Sequence, residues 1–68
     1  MKTSVRNRVK GVVKEILRGQ VMCEVDIDTP AGIISAVITT RSLDELGLAV
    51  GDPVFAGVKA TNVFLETA

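Results

Sequence analysis

The order of apolar and polar residues along the chain predicts a protein made mainly of β-strands. The first strand should run from Ser4 to Leu17. Apolar residues occupy both of its alternating sets of positions, which indicates a central strand covered on both faces or a β-bulge near Gly11. After a turn at 18–20, residues 21–28 alternate cleanly between apolar and polar. A third strand at 33–39 is rich in small and β-branched residues, as expected where both faces are covered.

One short helix and two more strands complete the predicted order. Residues 40–48 form the helical candidate, whose first turn Thr40 or Ser42 can cap. Ser42 and Glu45 have the spacing of a capping box, and Gly47 is placed to end the helix. Further strands are predicted at 54–61 and 63–66. This order predicts an all-β protein, a five-stranded OB-like barrel with one short helix between strands 3 and 4.

Length and composition predict a single domain, residues 1–68, that needs a partner. A chain of 68 residues buries only about 60% of the surface that its unfolded form exposes. The one cysteine, Cys23, cannot close an intrachain disulfide, and without histidine the chain lacks the ligands of a soft-metal site. A hydrophobic fraction of 47% leaves more aliphatic surface than so small a subunit buries alone. We therefore expect a homo-oligomer.

The same counts predict a cytoplasmic protein that is not an enzyme. No stretch approaches the roughly 20 apolar residues of a membrane span, and the N-terminus has no apolar signal region. Cys23 fits a reducing compartment, and its place in the alternation of the second strand predicts a small buried side chain. Without histidine or a converging pair of carboxylates, the chain has no ordinary catalytic base.

Charge and hydrogen-bond donors point to an anionic ligand near the first strand. Residues 1–18 carry six basic side chains and one acidic, a net +5, and the other fifty carry two basic and seven acidic, a net −5. An OB-like nucleic-acid binder would stack bases on aromatic side chains, and the chain has no Trp or Tyr. A small oxyanion fits better, because directed donors with few full charges can hold a dianion. The candidate donors are Ser4, Arg6, Asn7, Thr40, Ser42, Lys59, Thr61 and the backbone at 18–20.

Each of these groups also fits a purely structural interpretation. The segment from Ser4 to Asn7 is consistent with a solvated strand start, and Lys59 to Thr61 with an exposed strand end. Ser42 is consistent with a helix cap. Spacing alone therefore leaves both interpretations open.

Six short motifs follow one another along almost the whole chain. They are Ser4-Val5-Arg6-Asn7, Gly11-Val12-Val13, Gly19-Gln20-Val21, Ile38 to Leu48, Gly51-Asp52 and Val58 to Val63. Their ordered combination resembles the molbindins, the small Mop proteins that bind molybdate, whose module recurs as the TOBE domain of molybdate transport ATPases and regulators. The resemblance implies a strand-exchanged barrel assembled as a homo-hexamer, a trimer of dimers, with oxyanions at the subunit interfaces.

The resemblance also implies a role and two kinds of site. Molybdate, or tungstate as a near-identical dianion, would be stored inside the cell without being transformed and without an organic cofactor. One site would combine residues of one subunit with residues of a neighbour: Ser4, Arg6 and Asn7 with Lys59, Ala60 and Thr61. A second would lie near a symmetry axis: Gly19, Gln20, Thr40 and Ser42. A nucleic-acid-binding OB module and a purely structural oligomerisation module remain the alternatives.

Overall fold

The computed structural model describes residues 3–68 as one curled antiparallel sheet that carries a short helix at one end. This confirms the predicted all-β class. The elements in chain order are β1 (Asn7–Arg18), β2 (Met22–Thr29), β3 (Gly32–Thr39), α1 (Thr40–Leu46), β4 (Pro53–Val58) and a 3-10 turn (Ala60–Asn62). Within residues 3–68 no helix has the length and apolar character needed to cross a membrane.

The long first strand holds the sheet together, because its two halves pair with different neighbours. The strand order is β3-β2-β1-β4. The first half of β1 pairs with β4, from Asn7 opposite Val58 to Val12 opposite Pro53. The second half pairs with β2, as far as Arg18 opposite Cys23. The predicted central position of this strand is therefore confirmed.

The predicted bulge exists but lies further along the strand than Gly11. The register of β1 against β2 shifts between Val13 and Glu15, so Lys14 is the extra residue. Gly11 has a different role, which is to let the neighbouring strand approach closely. A β-carbon added to Gly11 would lie 2.6 Å from the Asp28 carbonyl oxygen and 2.6 Å from Ile27 Cγ2.

The core is small and lies between the sheet and α1. Its buried members are Val13, Cys23, Val25, Ile27 and Leu43. Cys23 is 2% exposed, so the prediction of a small buried side chain at this position is confirmed. The alternation of β2 therefore supplies three of the five core side chains, and the helix contributes one.

The helix is capped by a different residue from those predicted. The N-cap is Thr39, whose Oγ1 accepts a hydrogen bond from the Ser42 backbone N–H at 3.0 Å. Thr40 is not free to cap, because its hydroxyl donates to the Gly19 carbonyl oxygen at 2.8 Å. The predicted capping box of Ser42 with Glu45 is therefore wrong, because the cap lies three residues earlier, at Thr39. Gly47 ends the helix with φ at +63°, as its sequence position predicted.

The predicted fifth strand is absent from the described part of the chain. The fourth strand ends at Val58, and residues 60–62 form a 3-10 turn closed by the Asn62 N–H on the Lys59 carbonyl oxygen at 2.9 Å. Beyond it, Phe64 is 94% exposed and Leu65 is 95% exposed. Residues 63–66 have strand-like composition, but no strand of the same chain lies beside them, so no ladder forms.

The outer face of β3 is exposed, which also differs from the prediction. Its composition predicted cover on both faces, yet Ile33 is 54% exposed and Val37 is 64% exposed. None of the described residues supplies a second layer over this face. Apolar surface at β3 and at residues 63–65 therefore stays open in the single chain.

We expect Gly11→Ala to destabilise the sheet by about 1–3 kcal/mol, because the added methyl group meets the β2 backbone and cannot rotate away. Urea unfolding measures the loss. Lys10→Ala is the matched control, since this neighbouring residue is exposed and its change should cost less than about 0.5 kcal/mol. Equal unfolding midpoints for the two variants would contradict the proposed close approach of β1 and β2.

Candidate functional site

The candidate site forms where the chain enters β1 and leaves β4. Asn7 lies opposite Val58 in an antiparallel ladder. Arg6, which precedes Asn7, and Lys59, which follows Val58, are therefore neighbours at the same end of the sheet. A cleft of about 230 Å³ opens there. The residues that line it are Ser4, Arg6, Lys59, Ala60 and Thr61.

Short local hydrogen bonds shape both walls of this cleft. On one wall the Val5 N–H donates to Thr3 Oγ1 at 3.1 Å, which turns the chain just before β1. On the other, the 3-10 turn that begins at Ala60 folds the chain back over Lys59. Both walls are therefore irregular segments, one attached to the paired start of β1 and the other to the paired end of β4.

The chemistry of the cleft suits an anion. Arg6 and Lys59 bring two positive charges, and Ser4 and Thr61 bring hydroxyl groups that can donate hydrogen bonds. Among residues 3–68, no acidic side chain lines the cleft. A tetrahedral oxyanion could accept hydrogen bonds from all four side chains, and the charge-assisted ones would be the strongest.

Five of the six residues predicted for the first site line this cleft. Asn7 does not; it is the first residue of β1, and its side chain is exposed. The prediction took the two groups of residues from different subunits, whereas both groups meet within one chain. The sheet register explains this meeting, since it joins the start of β1 to the end of β4.

The residues predicted for the second site lie close together, and part of their hydrogen-bonding groups is already used. The Thr40 hydroxyl donates to the Gly19 carbonyl oxygen at 2.8 Å, and the Thr40 N–H donates to the Val21 carbonyl oxygen at 2.8 Å. The Ser42 hydroxyl accepts from the Thr39 hydroxyl at 2.8 Å, which leaves its own proton available to a ligand. Gln20 is exposed. In the single chain these contacts join the turn at 18–20 to the helix, and the Ser42 hydroxyl and the Gln20 amide remain as donors for a ligand.

An ion pair that sequence reasoning missed strengthens the same junction. Arg18 donates two hydrogen bonds, each of 2.8 Å, to the carboxylate oxygens of Asp44. The hydrogen bond with Asp44 raises the pKa of the Arg18 guanidinium, and the same bond lowers the pKa of the Asp44 carboxyl. The two residues are 26 positions apart, so no local sequence pattern announces them.

Acidic residues on β2 form a second electrostatic cluster. A hydrogen bond with Asp26, and then the Asp26 charge, raise the pKa of the Glu24 carboxyl. Asp26 also accepts a hydrogen bond from the Ser35 hydroxyl at 2.8 Å. Within residues 3–68, no three Cys, Asp or Glu side chains are arranged to hold a metal ion. This cluster therefore bears on stability and lies apart from the cleft.

One aromatic ring is covered by a cation. The guanidinium carbon of Arg8 lies 4.3 Å from the centroid of the Phe55 ring. Phe55 is 58% exposed, and Arg8 occupies one of the two ring faces on which a nucleic-acid base would stack. The contact therefore weakens the nucleic-acid alternative.

The sequence matches the family model described as the TOBE domain over residues 3–65. The chain, which folds as a small curled antiparallel sheet with a cationic, hydroxyl-lined cleft, therefore belongs to the TOBE-domain family. Its relatives place it among the molbindins, and the chain belongs to that family.

Two curated relatives and one solved structure carry this assignment. The chain is 39% identical to a probable molybdenum-pterin-binding protein of Haemophilus influenzae, across 96% of both chains. It is 47% identical to the molybdenum transport protein ModE of Azotobacter vinelandii over 98% of its own length, but it spans only 25% of that longer protein. The molybdate-binding protein from Sporomusa ovata superposes with a TM-score of 0.93 at 40% identity, covering 98% of this chain and 100% of the other.

We expect the two electrostatic clusters to affect stability with opposite signs. The lowered pKa of Asp44 stabilises the fold above the unfolded pKa of about 3.9, and this contribution is lost as pH falls through the folded pKa. The raised pKa of Glu24 stabilises the fold below about pH 4.3, and this contribution is lost as pH rises through the folded pKa.

Urea unfolding at pH 7 and pH 3 tests this pair of signs. Asp44→Asn should be less stable than the wild type at pH 7, and Glu24→Gln should be more stable. Both differences should shrink at pH 3. Glu66→Gln, in the exposed C-terminal segment, controls for the loss of one negative charge. Differences of the same sign for both variants at pH 7 would contradict the assignment.

Proposed function

We propose that this chain binds molybdate, and tungstate as a dianion of the same shape, in the cleft between the start of β1 and the end of β4. The observation that carries the proposal is the convergence of Arg6 and Lys59 with two hydroxyl groups in a cleft whose lining, within the described residues, holds no carboxylate. A dianion placed there gains charge neutralisation and directed hydrogen bonds together. The names of the relatives support molybdate as the particular oxyanion.

We infer that each ligand site is completed by neighbouring subunits. Every residue that lines the cleft is exposed in the single chain, so a bound anion would stay in contact with water. A hydrogen bond to a charged group gains strength as the surroundings become less polar. Asn7 lies beside the cleft at the sheet edge and would join the donor set there. The second group, Gly19, Gln20, Thr40 and Ser42, would form a lesser site where subunits meet on a symmetry axis.

The proposed assembly is a homo-hexamer, a trimer of dimers with exchanged strands. The edge strand β4 pairs with β1 on one side only. The inner face of the sheet opens into an apolar cavity of about 940 Å³, with Val54 and Ala56 in its lining. Residues 63–65 are apolar and exposed, and they follow β4 after one turn. Adding this segment to the sheet of a neighbour would supply the missing fifth strand and cover apolar surface on both chains.

The proposed role is storage and buffering of the anion inside the cell, without its transformation. The cleft offers donors and positive charge, and the described residues that line it include no carboxylate to act as a general base. Cys23 is a free thiol, as in proteins of reducing compartments. Among the alternatives, the Arg8 contact on Phe55 counts against base stacking, whereas a purely structural oligomer would leave Arg6 and Lys59 without a ligand.

Native mass spectrometry with molybdate, and with sulfate as the control anion, is the direct test. We expect a hexamer that takes up discrete molybdate adducts and fewer or none of sulfate. A hexamer indifferent to both anions would identify a structural oligomerisation module. A monomer without adducts would contradict the proposal, and salt-sensitive binding of single-stranded oligonucleotides would then favour the nucleic-acid alternative.

Lys59→Ala should weaken molybdate binding by about 1.5–3 kcal/mol, the usual value of a hydrogen bond to a charged group, or about 10- to 150-fold. Isothermal titration calorimetry measures the affinity, and native mass spectrometry checks that the assembly is intact. Lys10→Ala is the matched control, because it removes the same charge from β1 outside the cleft. Equal affinities for the two variants would remove Lys59 from the site.

Phe64→Ser should break or weaken the assembly, because burying a phenylalanine side chain contributes about 1.5–3 kcal/mol for each copy. Glu66→Ser is the control, since it changes an exposed polar residue of the same segment to the same side chain. Analytical ultracentrifugation as a function of concentration measures both. A hexamer of unchanged stability in the Phe64 variant would exclude the C-terminal segment from the interface.

A further inference from the structure

Ser4 and Arg6 lie just outside the sheet ladder, so the register that brings them near Lys59 does not by itself fix their distance from it. Both lie before β1 begins at Asn7, in a segment without regular secondary structure. Val5, between them, is half-buried, and the other residues from 3 to 8 are exposed. What Val5 packs against therefore decides where one wall of the cleft lies.

Val5 packs against Gly57 of β4. A β-carbon added to Gly57 would lie 3.1 Å from Val5 Cγ1 and 3.9 Å from Val5 Cβ. The first distance is shorter than ordinary carbon-carbon contact, which is about 3.5–4.0 Å. Val5 therefore fills the space that a side chain at position 57 would occupy.

The backbone gives no reason for a glycine at position 57. Among the described glycines, a positive φ occurs at Gly32, Gly47 and Gly51, and Gly57 is not one of them. A glycine inside a strand weakens it by roughly 0.5–1 kcal/mol relative to alanine. The close approach of Val5 accounts for this otherwise unfavourable residue.

The two residues are placed to act on both walls of the cleft. Val5 is bonded directly to Ser4 and Arg6, and Gly57 comes two residues before Lys59. A change in the distance between Val5 and Gly57 therefore changes the spacing of Ser4 and Arg6 from Lys59 and Thr61. Neither Val5 nor Gly57 need touch the ligand to do so.

We propose that Val5 and Gly57 form a size-matched positioning pair that sets the width of the oxyanion cleft. The proposal rests on the function proposed above, and it adds residues outside the donor set that decide how well that set fits a tetrahedral dianion. A larger side chain at 57 pushes the Ser4–Arg6 segment outward, and a smaller one at 5 lets it move inward. Each single change spoils the fit, and the paired change restores it.

A double-mutant cycle tests the pair. We expect Gly57→Ala to weaken molybdate binding by about tenfold, and Val5→Ala to weaken it by a smaller factor. The double variant Val5→Ala/Gly57→Ala should bind within about threefold of the wild type, which corresponds to a coupling of the usual size for residues in contact. Val12→Ala, at an exposed valine of β1, combined with Gly57→Ala is the control and should give no rescue.

A second measurement does not depend on ligand binding. Amide ¹H-¹⁵N chemical shifts of Ser4, Arg6 and Thr61 in the ligand-free protein report the geometry of the walls. We expect these shifts to move in Gly57→Ala and to return toward wild-type values in the double variant. If Gly57→Ala does not fold, the comparison of Val5→Ala with the double variant carries the test, since the double variant should be the more native-like in its shifts and its affinity.

The outcomes separate this inference from the proposed function. A wild type that binds no molybdate would overturn the function, while the chemical shifts would still decide whether the pair sets the geometry. Additive effects in the cycle, or shifts that move without any change in affinity, would overturn the positioning pair and leave the function intact. Rescue of both affinity and shifts would support it.

Discussion

The pairing of β1 with two different strands is the constraint on which the rest of the structure depends. One half of a single 12-residue strand pairs with β4 and the other half with β2, so the two hairpin-like halves of the fold share one backbone ladder. The bulge between Val13 and Glu15 falls within the half that pairs with β2. This arrangement puts the buried Val13 in the core and the two ends of β1 at opposite ends of the sheet. The cleft forms at one end, and at the other the Arg18–Asp44 ion pair joins the turn at 18–20 to the helix.

Small size then decides what the fold leaves open. Five buried side chains make a modest core for a chain of 68 residues. The exposed apolar surface includes part of β3 and the C-terminal segment, where Phe64 and Leu65 are almost fully exposed. Large contiguous apolar patches are rare on monomeric proteins and mark surfaces that a partner covers. The small number of buried side chains therefore accounts for the proposed assembly, and the proposed assembly would in turn cover the ligand sites.

Local sequence patterns predicted most of the strands and the helix, and contacts between distant residues explain the predictions that failed. The alternation of β2 identified the core face, and Gly47 marked the end of the helix, because each feature depends on neighbouring residues alone. The capping residue was misplaced because three hydroxyl residues lie close together, and a contact with Gly19 on a distant turn engages Thr40. The fifth strand was predicted from composition, but a strand needs a neighbour, and residues 63–66 have none in the described chain.

The candidate site was also predictable from the sequence only in part. Donor chemistry at the start of the chain was visible from the residues. The resemblance supplied the grouping of Arg6 with Lys59, but it took them from two subunits, and their meeting within one chain follows from the sheet register. The Val5 contact with Gly57 left no signal that a single sequence reveals, because a valine and a glycine 52 positions apart look like two unrelated strand residues.

The exposure of the cleft links affinity to assembly. In the single chain, Arg6 and Lys59 are hydrated, and exposed charge pairs contribute little because water screens them. If neighbouring subunits cover the cleft as proposed, the same donors act in a less polar site and each contributes more. Binding of the anion and association of the subunits then favour each other, since any ligand that prefers the assembled state stabilises that state by mass action. A storage protein built in this way would hold its anion most tightly when it is fully assembled, and it would release the anion as the assembly loosens.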